Sequence, residues 1–317
     1  MKNITLLFPG QGSQFVGMGK NLDASLFQLA NEALAYDLKS IMHEGPEETL
    51  KMTENTQPAI LLHSIGCFYN VQQFLQAENI EVNAVLGHSV GEYAALVAAS
   101  VLNLSDALKA THWRGKFMQA AVPVGVGAMY AILKVPEEMV VKACRESSLP
   151  GEEVMPANFN DPQQIVISGH EQACKRAISY LAENYLEAHR AIELKVSAPF
   201  HSSLMKPAAL KLKEAFKKLN WQPNKLPYIA NINASWIPVE TSPEQIQDLL
   251  VEQAMGPVYW TQSILKLPPG QICLELGPGK VLTGLIKKIR SDITVINIDG
   301  ENDLWKTTLL EKLQASK

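Results

Sequence analysis

The sequence predicts an α/β fold with a mainly parallel sheet, interrupted by a smaller inserted unit. Three observations carry that expectation. Short apolar strands run into glycine turns at "ITLLFPGQG", "VNAVLGHSVGEYAALVAAS" and "QICLELGPGKVLTGLIKKI", the last two continuing directly into helices. Strands separated by helical segments build parallel sheets with helices on their faces, and sites form at the carboxyl ends of such strands. The rhythm then changes between about 126 and 197, where strand and helix patterns follow the order βαββαβ, the ferredoxin-like arrangement. Finally, 317 residues, 47% hydrophobic and 19% charged, suffice for one large domain carrying a smaller one.

Taken in order, "ITLLF" reads as a first buried strand, and "VNAVL" as a second that turns through "GHSVG" into an Ala-rich helix. In the inserted unit "GAMYAILKV" is a strand and "PEEMVVKACRES" a helix opened by proline. "EVMPANFN" and "QQIVISGH" are two more strands, "EQACKRAISYLAENY" has helical periodicity, and "HRAIELKV" closes the unit. The chain returns to helix with "SSLMKPAALKLKEAFKKL" and ends on the third strand–turn–helix. The expected division is 1–125 with 198–317 for the large domain, and 126–197 for the subdomain.

Composition excludes several classes. No run approaches the roughly 18 consecutive apolar residues that span a bilayer, so no membrane partner is expected. "MKNITLLFPGQ" begins like a signal sequence, but its apolar stretch is short and leads into glycines, so the expectation is a cytoplasmic protein. A net charge of −4 gives no reason to propose nucleic acid. Cys67, Cys144, Cys174 and Cys273 are scattered without CxxC pairing, so reduced core thiols are expected, and no metal site.

The chemistry concentrates at Ser89. A Gly-x-Ser-x-Gly turn between strand and helix exposes the hydroxyl, and glycines at 87 and 91 remove side chains that would clash at the bend. The helix beginning near Val90 directs its free N–H groups and its dipole at a developing oxyanion. The same residues also fit an ordinary serine N-cap. Of the seven histidines, His88 adjoins Ser89 but neighbouring side chains diverge, so a turn-shaping or oxyanion-side role is its limit. His43, His63, His112, His170 and His189 lie in helical or turn contexts without catalytic chemistry nearby. His201, in "VSAPFHSSLM", follows a strand at the crossing back into the large domain, a loop able to bring it to Ser89 from 112 positions away.

Together, "FPGQGSQ", "GHSVGEYAAL", "RGKFMQAAVPVGVGAM", "PANFNDPQQIVISG", "PFHSSLMKPA", "GPVYW" and "ELGPGKVLTGLIK" resemble the malonyl-CoA:acyl carrier protein transacylase family of type II fatty acid synthesis, in order from about residue 5 to 290. The resemblance implies an α/β-hydrolase-like large domain with the ferredoxin-like insertion. It also implies a Ser89–His201 dyad in which a backbone carbonyl from Gln253, rather than an Asp, orients the imidazole. Backbone N–H groups of Gln11 and Val90 would form the oxyanion hole, which replaces the alternative reading of "PGQGSQ" as a phosphate cradle; that stretch lacks the Lys-Ser/Thr ending of a P-loop. Arg114 would grip the free carboxylate of malonyl through two parallel donors, where the sequence taken alone favours a helix-surface arginine. Asn160 and His88 are candidates for lining the thioester channel, Asn160 fitting an ordinary turn as well.

The reaction so implied is ping-pong transfer of malonyl from malonyl-CoA to the phosphopantetheine thiol of acyl carrier protein through a malonyl-serine ester. It uses no metal or redox cofactor, and relatives suggest a monomer. Carrier proteins are acidic, so a local basic face is expected, either Lys206, Lys211, Lys213, Lys217 and Lys218 on one helix or Lys280, Lys287, Lys288 and Arg290 on another. Rival readings are a stand-alone acyltransferase of a polyketide synthase, an acyl hydrolase on the same scaffold, and a non-catalytic carrier-binding module.

Overall fold

The computed structural model describes residues 3–123, 125–300 and 302–315; the expected domain limits at 1 and 317, and Val124 within one of the quoted motifs, lie outside them. Ten strands occur among the described residues: β1 (Asn3–Phe8), β2 (Glu81–Gly87), β3 (Gly127–Leu133), β4 (Val154–Asp161), β5 (Gln164–His170), β6 (Arg190–Glu193), β7 (Tyr228–Ile229), β8 (Trp236–Ile237), β9 (Ile272–Leu276) and β10 (Thr294–Ile298).

The larger sheet has the order β10-β9-β1-β2-β7-β8. Every pairing in it is parallel except β7 with β8. Its centre is buried on both sides, as a parallel sheet covered by helices must be. Ile4, Leu6 and Phe8 of β1 enter the principal core, while Leu7 packs on the opposite face with Ala84 and Leu86. Because β1, β2 and β9 run parallel, their three glycine turns gather at one edge. A Cβ on Gly10 would lie 2.5 Å from the His88 carbonyl oxygen, and one on Gly277 would lie 2.7 Å from the Pro9 ring. The close approach of these turns therefore requires glycine.

The smaller sheet is antiparallel, in the order β4-β5-β3-β6. Alternation along β3 gives it two different faces. Tyr130 and Ile132 pack with Val140 and Ala143 of the helix Glu137–Ser147, and with Ala173 and Ala177 of the helix Glu171–Asn184. Met129 and Ala131 turn the other way and, with Val166 of β5, line a cleft against the larger sheet. Strand β4 is the seam between the sheets. Its Phe159 N–H donates to the Val258 carbonyl and Val258 N–H to the Ala157 carbonyl, while the Phe159 ring stacks on Tyr259 at 4.9 Å. Lys288 Nζ also reaches the fully buried Asp161 carboxylate at 3.0 Å. Among the described residues no helix is long and apolar enough to cross a membrane.

Candidate active site

At the end of β2 the chain turns sharply into the helix Gly91–Ala98. A Cβ on Gly87 would lie 2.0 Å from the carbonyl carbon of Gly91, and one on Gly91 would lie 2.2 Å from the Phe8 carbonyl oxygen. Only glycine permits both approaches, and the tight turn drives Ser89 to φ +53°. A left-handed conformation costs a non-glycine residue on the order of 1–2 kcal/mol, so surrounding contacts must hold it. Two long-range side chains do so. Ser89 N–H donates to Asn231 Oδ1 at 2.7 Å, and the Ser89 carbonyl accepts from Gln253 Nε2 at 2.9 Å.

His201 arrives from the far side of the cleft, also left-handed at φ +56°. Its Nε2 lies 2.7 Å from Ser89 Oγ. Its Nδ1–H donates to the Gln253 carbonyl at 2.8 Å and to the Gly256 carbonyl at 3.1 Å. Two carbonyls can only accept, so they keep the proton on Nδ1 and leave Nε2 to accept from the serine hydroxyl. Burial, with the nearby Arg114 charge as the next cause, holds the imidazole down at about 3, so the ring is neutral at neutral pH.

Arg114 sits on the helix Leu104–Gln119 and is 1% exposed, so it is not the surface arginine that sequence alone favoured. Its Nη2 donates to Gln253 Oε1 at 2.9 Å and to Ser89 Oγ at 3.2 Å. Its Nε is buried without a protein acceptor among the described residues, and Oε1 of Gln57, another residue lining the cleft, is buried without a donor among them. Burial draws the Arg114 value below that of an ordinary guanidinium, although an arginine stays charged at neutral pH.

The cleft has a volume of about 400 Å³, and Gln11, His88, Ser89, Arg114, Asn160 and His201 line it together. The N–H groups of Gln11 and Val90 donate to no protein group among the described residues. His88 Nε2 pairs with Asn160 Oδ1 at 2.8 Å, and burial pulls its basicity down. Asn160 lies within β4 rather than in a turn, and the His88 ring meets Trp260 edge-on. The structure thus brings every one of these sequence-selected residues to one cleft or its immediate wall.

Comparison with known proteins names the architecture. The profile of the acyl transferase domain family matches residues 5–294. The chain belongs to the acyl transferase family. It is 42% identical over 302 residues to the malonyl CoA-acyl carrier protein transacylase of Escherichia coli strain K12, covering 93% of this chain and 95% of that protein. The corresponding Bacillus subtilis strain 168 protein is 42% identical over 306 residues, covering 94% of each chain. Among solved structures, an acyl carrier protein S-malonyltransferase from Vibrio cholerae O1 biovar eltor superposes with a TM-score of 0.85 at 38% identity over 100% of both chains. A malonyl-transacylase in complex with a type II PKS acyl-carrier protein gives 0.86 at 36%, over 98% of this chain and 99% of that one.

Two residues of this acyl transferase escaped the sequence reading. Asn231 clamps Ser89 N–H through Oδ1 and the Gly87 carbonyl through Nδ2, each at 2.7 Å. Glu92 is 1% exposed, and its Oε2 accepts from Gln253 Nε2 at 2.8 Å and from Asn231 N–H at 3.2 Å. Burial raises Glu92 to about 7, with the Gln253 and Asn231 hydrogen bonds and the Arg114 charge opposing. A charge inside the apolar run "GEYAALVA" was the available signal for Glu92; Asn231 carried none. The Gln253 side chain is a third addition, since sequence assigned only its carbonyl. Of the basic residues expected to face a carrier, Lys213, Lys217, Lys288 and Arg290 pair with Asp248, Glu214, Asp161 and Asp292. Lys288 is committed to holding the seam between the sheets.

Proposed function

We propose that this acyltransferase moves malonyl from malonyl-CoA to the phosphopantetheine thiol of acyl carrier protein, supplying fatty acid elongation. The observation that carries the reading is a neutral, carbonyl-oriented imidazole 2.7 Å from a serine hydroxyl that a buried guanidinium also reaches. The names of the relatives that match nearly the whole chain support the same substrates.

In this reading Ser89 Oγ attacks the thioester carbonyl while His201 Nε2 takes the hydroxyl proton. The unpaired N–H groups of Gln11 and Val90 stabilise the tetrahedral oxyanion. CoA leaves as the thiol with the proton from His201, and a malonyl-serine ester remains. The carrier thiol then attacks the ester, giving its proton to His201, which returns it to Ser89. Arg114 holds the free carboxylate of malonyl; it lines the cleft, its Nη2 reaches Ser89 Oγ at 3.2 Å, and a guanidinium offers a carboxylate two parallel donors. The paired His88 and Asn160 line the thioester channel. Exchange of one acyl group between sulfur and oxygen needs no metal or redox cofactor.

The reading extends to a monomer in the cytoplasm, where buried free thiols such as Cys67 and Cys273 persist. It treats 126–197 as a subdomain that shields the ester from water across the cleft. The structural likeness to a malonyl-transacylase of a type II polyketide system favours one second reading, the same chemistry with a polyketide carrier.

Incubation with radioactive malonyl-CoA is expected to label the protein, and Ser89→Ala to abolish labelling and transfer by about a thousandfold or more. Label retained in that variant removes Ser89 from the nucleophile role. Arg114→Ala is expected to lose malonyl transfer and gain relative activity toward acetyl-CoA; unchanged selectivity in a competition assay removes Arg114 from the carboxylate role.

A further inference from the structure

The cleft holds a buried positive charge whose compensation is indirect. Arg114 makes no ion pair with any carboxylate among the described residues, although a buried charge without a counter-charge is strongly destabilising. Its Nη2 donates to the neutral Gln253 Oε1. Gln253 Nε2 in turn donates to Glu92 Oε2, a second buried charge-bearing group. Guanidinium, amide and carboxyl therefore form one directional chain: Glu92 accepts, Gln253 passes the polarity along, and Arg114 donates. The Gln253 amide has only one orientation that serves both ends, because its NH2 group meets two acceptors, Glu92 Oε2 and the Ser89 carbonyl.

We propose that Glu92 is a positioning residue that carries the resident counter-charge of Arg114 in the empty site and takes up a proton when the carboxylate of a dicarboxylic acyl group replaces it. This rests on the malonyl reading above. Two negative charges compensating one buried cation repel each other across a low-dielectric interior, and the one that can be neutralised without leaving is Glu92. Its Oε1 accepts from no protein group among the described residues, so a proton there leaves both Oε2 hydrogen bonds intact. The proton comes from solvent, and no bond to the substrate changes.

The groups that face Glu92 are few. Arg114 acts from the helix Leu104–Gln119, Tyr228 from β7, and Tyr93 from its own helix, both tyrosines staying neutral because burial raises them far above neutral pH. Burial, and then the Arg114 charge, hold His201 at about 3, so it stays neutral here. Glu92, at about 7, is the group whose charge a neighbouring anion changes near neutral pH. A substrate carboxylate raises it further, so the bound protein holds more protons than the free one. Linkage then requires malonyl-CoA to bind more tightly as pH falls through that range. Acetyl-CoA, which brings no carboxylate, leaves the ionisation of Glu92 as it is in the free protein and should show neither effect.

The test uses the full-length Ser89→Ala protein, which prevents turnover. Titration calorimetry near pH 7.5 in two buffers of different ionisation heat is expected to show uptake of about half a proton per malonyl-CoA and none per acetyl-CoA. Between pH 8.5 and pH 6 malonyl-CoA affinity should rise on the order of fivefold, with acetyl-CoA affinity flat. Adding Glu92→Gln should abolish both the uptake and the pH slope, which a purely structural role would not do. Uptake that persists in Glu92→Gln, or malonyl-CoA binding without uptake, overturns the proposal while leaving malonyl transfer standing. If Glu92→Gln does not fold, the comparison of the two ligands across pH decides by itself. Failure of malonyl-CoA to bind while acetyl-CoA binds overturns the parent reading and this proposal with it.

Discussion

Two turns in this molecule share a local plan and differ in what they do with the helix that follows. After β2, the chain passes through Gly87 and Ser89 into the helix Gly91–Ala98; after β9, it passes through Gly277 and Gly279 into the helix Val281–Ile289. At the second turn the exposed helix N-terminus is satisfied from within. Glu275, at the end of its own strand, accepts from Leu282 N–H at 2.8 Å and from Thr283 N–H at 2.9 Å. At the first turn the acidic residue lies inside the helix, at Glu92, and holds Asn231 and Gln253 instead. Val90 N–H consequently has no protein acceptor among the described residues. One acidic side chain closes a helix N-terminus, and the other braces the residues around a helix N-terminus that stays open.

Three measurements bear on that contrast. The largest effect is expected from Asn231→Ala, which frees Ser89 N–H and the Gly87 carbonyl at once. The rate of malonyl-enzyme formation, followed by rapid quench, should fall about a hundredfold, because small displacements of a nucleophile cost that much. A rate within twofold of wild type would mean that the strained turn needs no brace. Next comes the pH profile of the same step. A folded imidazole at about 3 stays deprotonated to well below its ordinary value. Acylation should therefore change less than about twofold between pH 6.5 and 4.5, where an unshifted histidine would lose about fiftyfold. The sign for stability is the reverse of a salt-bridged histidine: the unfolded chain binds the proton first, so the His201 contribution is present above about pH 6.5 and declines as pH falls from there. An acid limb near 6.5 in the rate would show His201 exposed or differently oriented.

The smallest effect belongs to the closed turn. Glu275→Gln removes an acceptor from the helix N-terminus and is expected to cost about 1–2 kcal/mol in chemical denaturation, with malonyl transfer unchanged. Loss of activity without loss of stability would erase the division of labour between the two turns.

The legible part of the site is the part that short-range patterns encode. Gly87 and Gly91 stand in the sequence as the requirements of a bend, so Ser89 could be selected by its neighbours. His201 was selected by its place just after a strand, and Arg114 through likeness to a family. What stayed hidden has sequence separations of more than a hundred residues and no local period. Asn231 lies in "YIANINAS", an irregular stretch where an asparagine has many ordinary uses. Its value comes only from standing 2.7 Å from Ser89 N–H, 142 positions away. The Lys288 pairing with Asp161 was equally invisible, and it makes an exposed-looking lysine part of the seam between the sheets.

The sequence by itself determined seven of the ten described strands, the glycine turns and the residue types able to do acyl transfer, because hydrophobic period and steric need at a bend act over a few residues; the two-residue β7 and β8, and β10, were not read from it. Only the tertiary structure decided the ionisation and aim of those residues. Burial and long-range hydrogen bonds hold His201 neutral, keep Ser89 left-handed and join Arg114 to Glu92 through one amide. Those terms depend on which distant segments the sheets bring together, since desolvation and charge interactions are properties of a place in the fold.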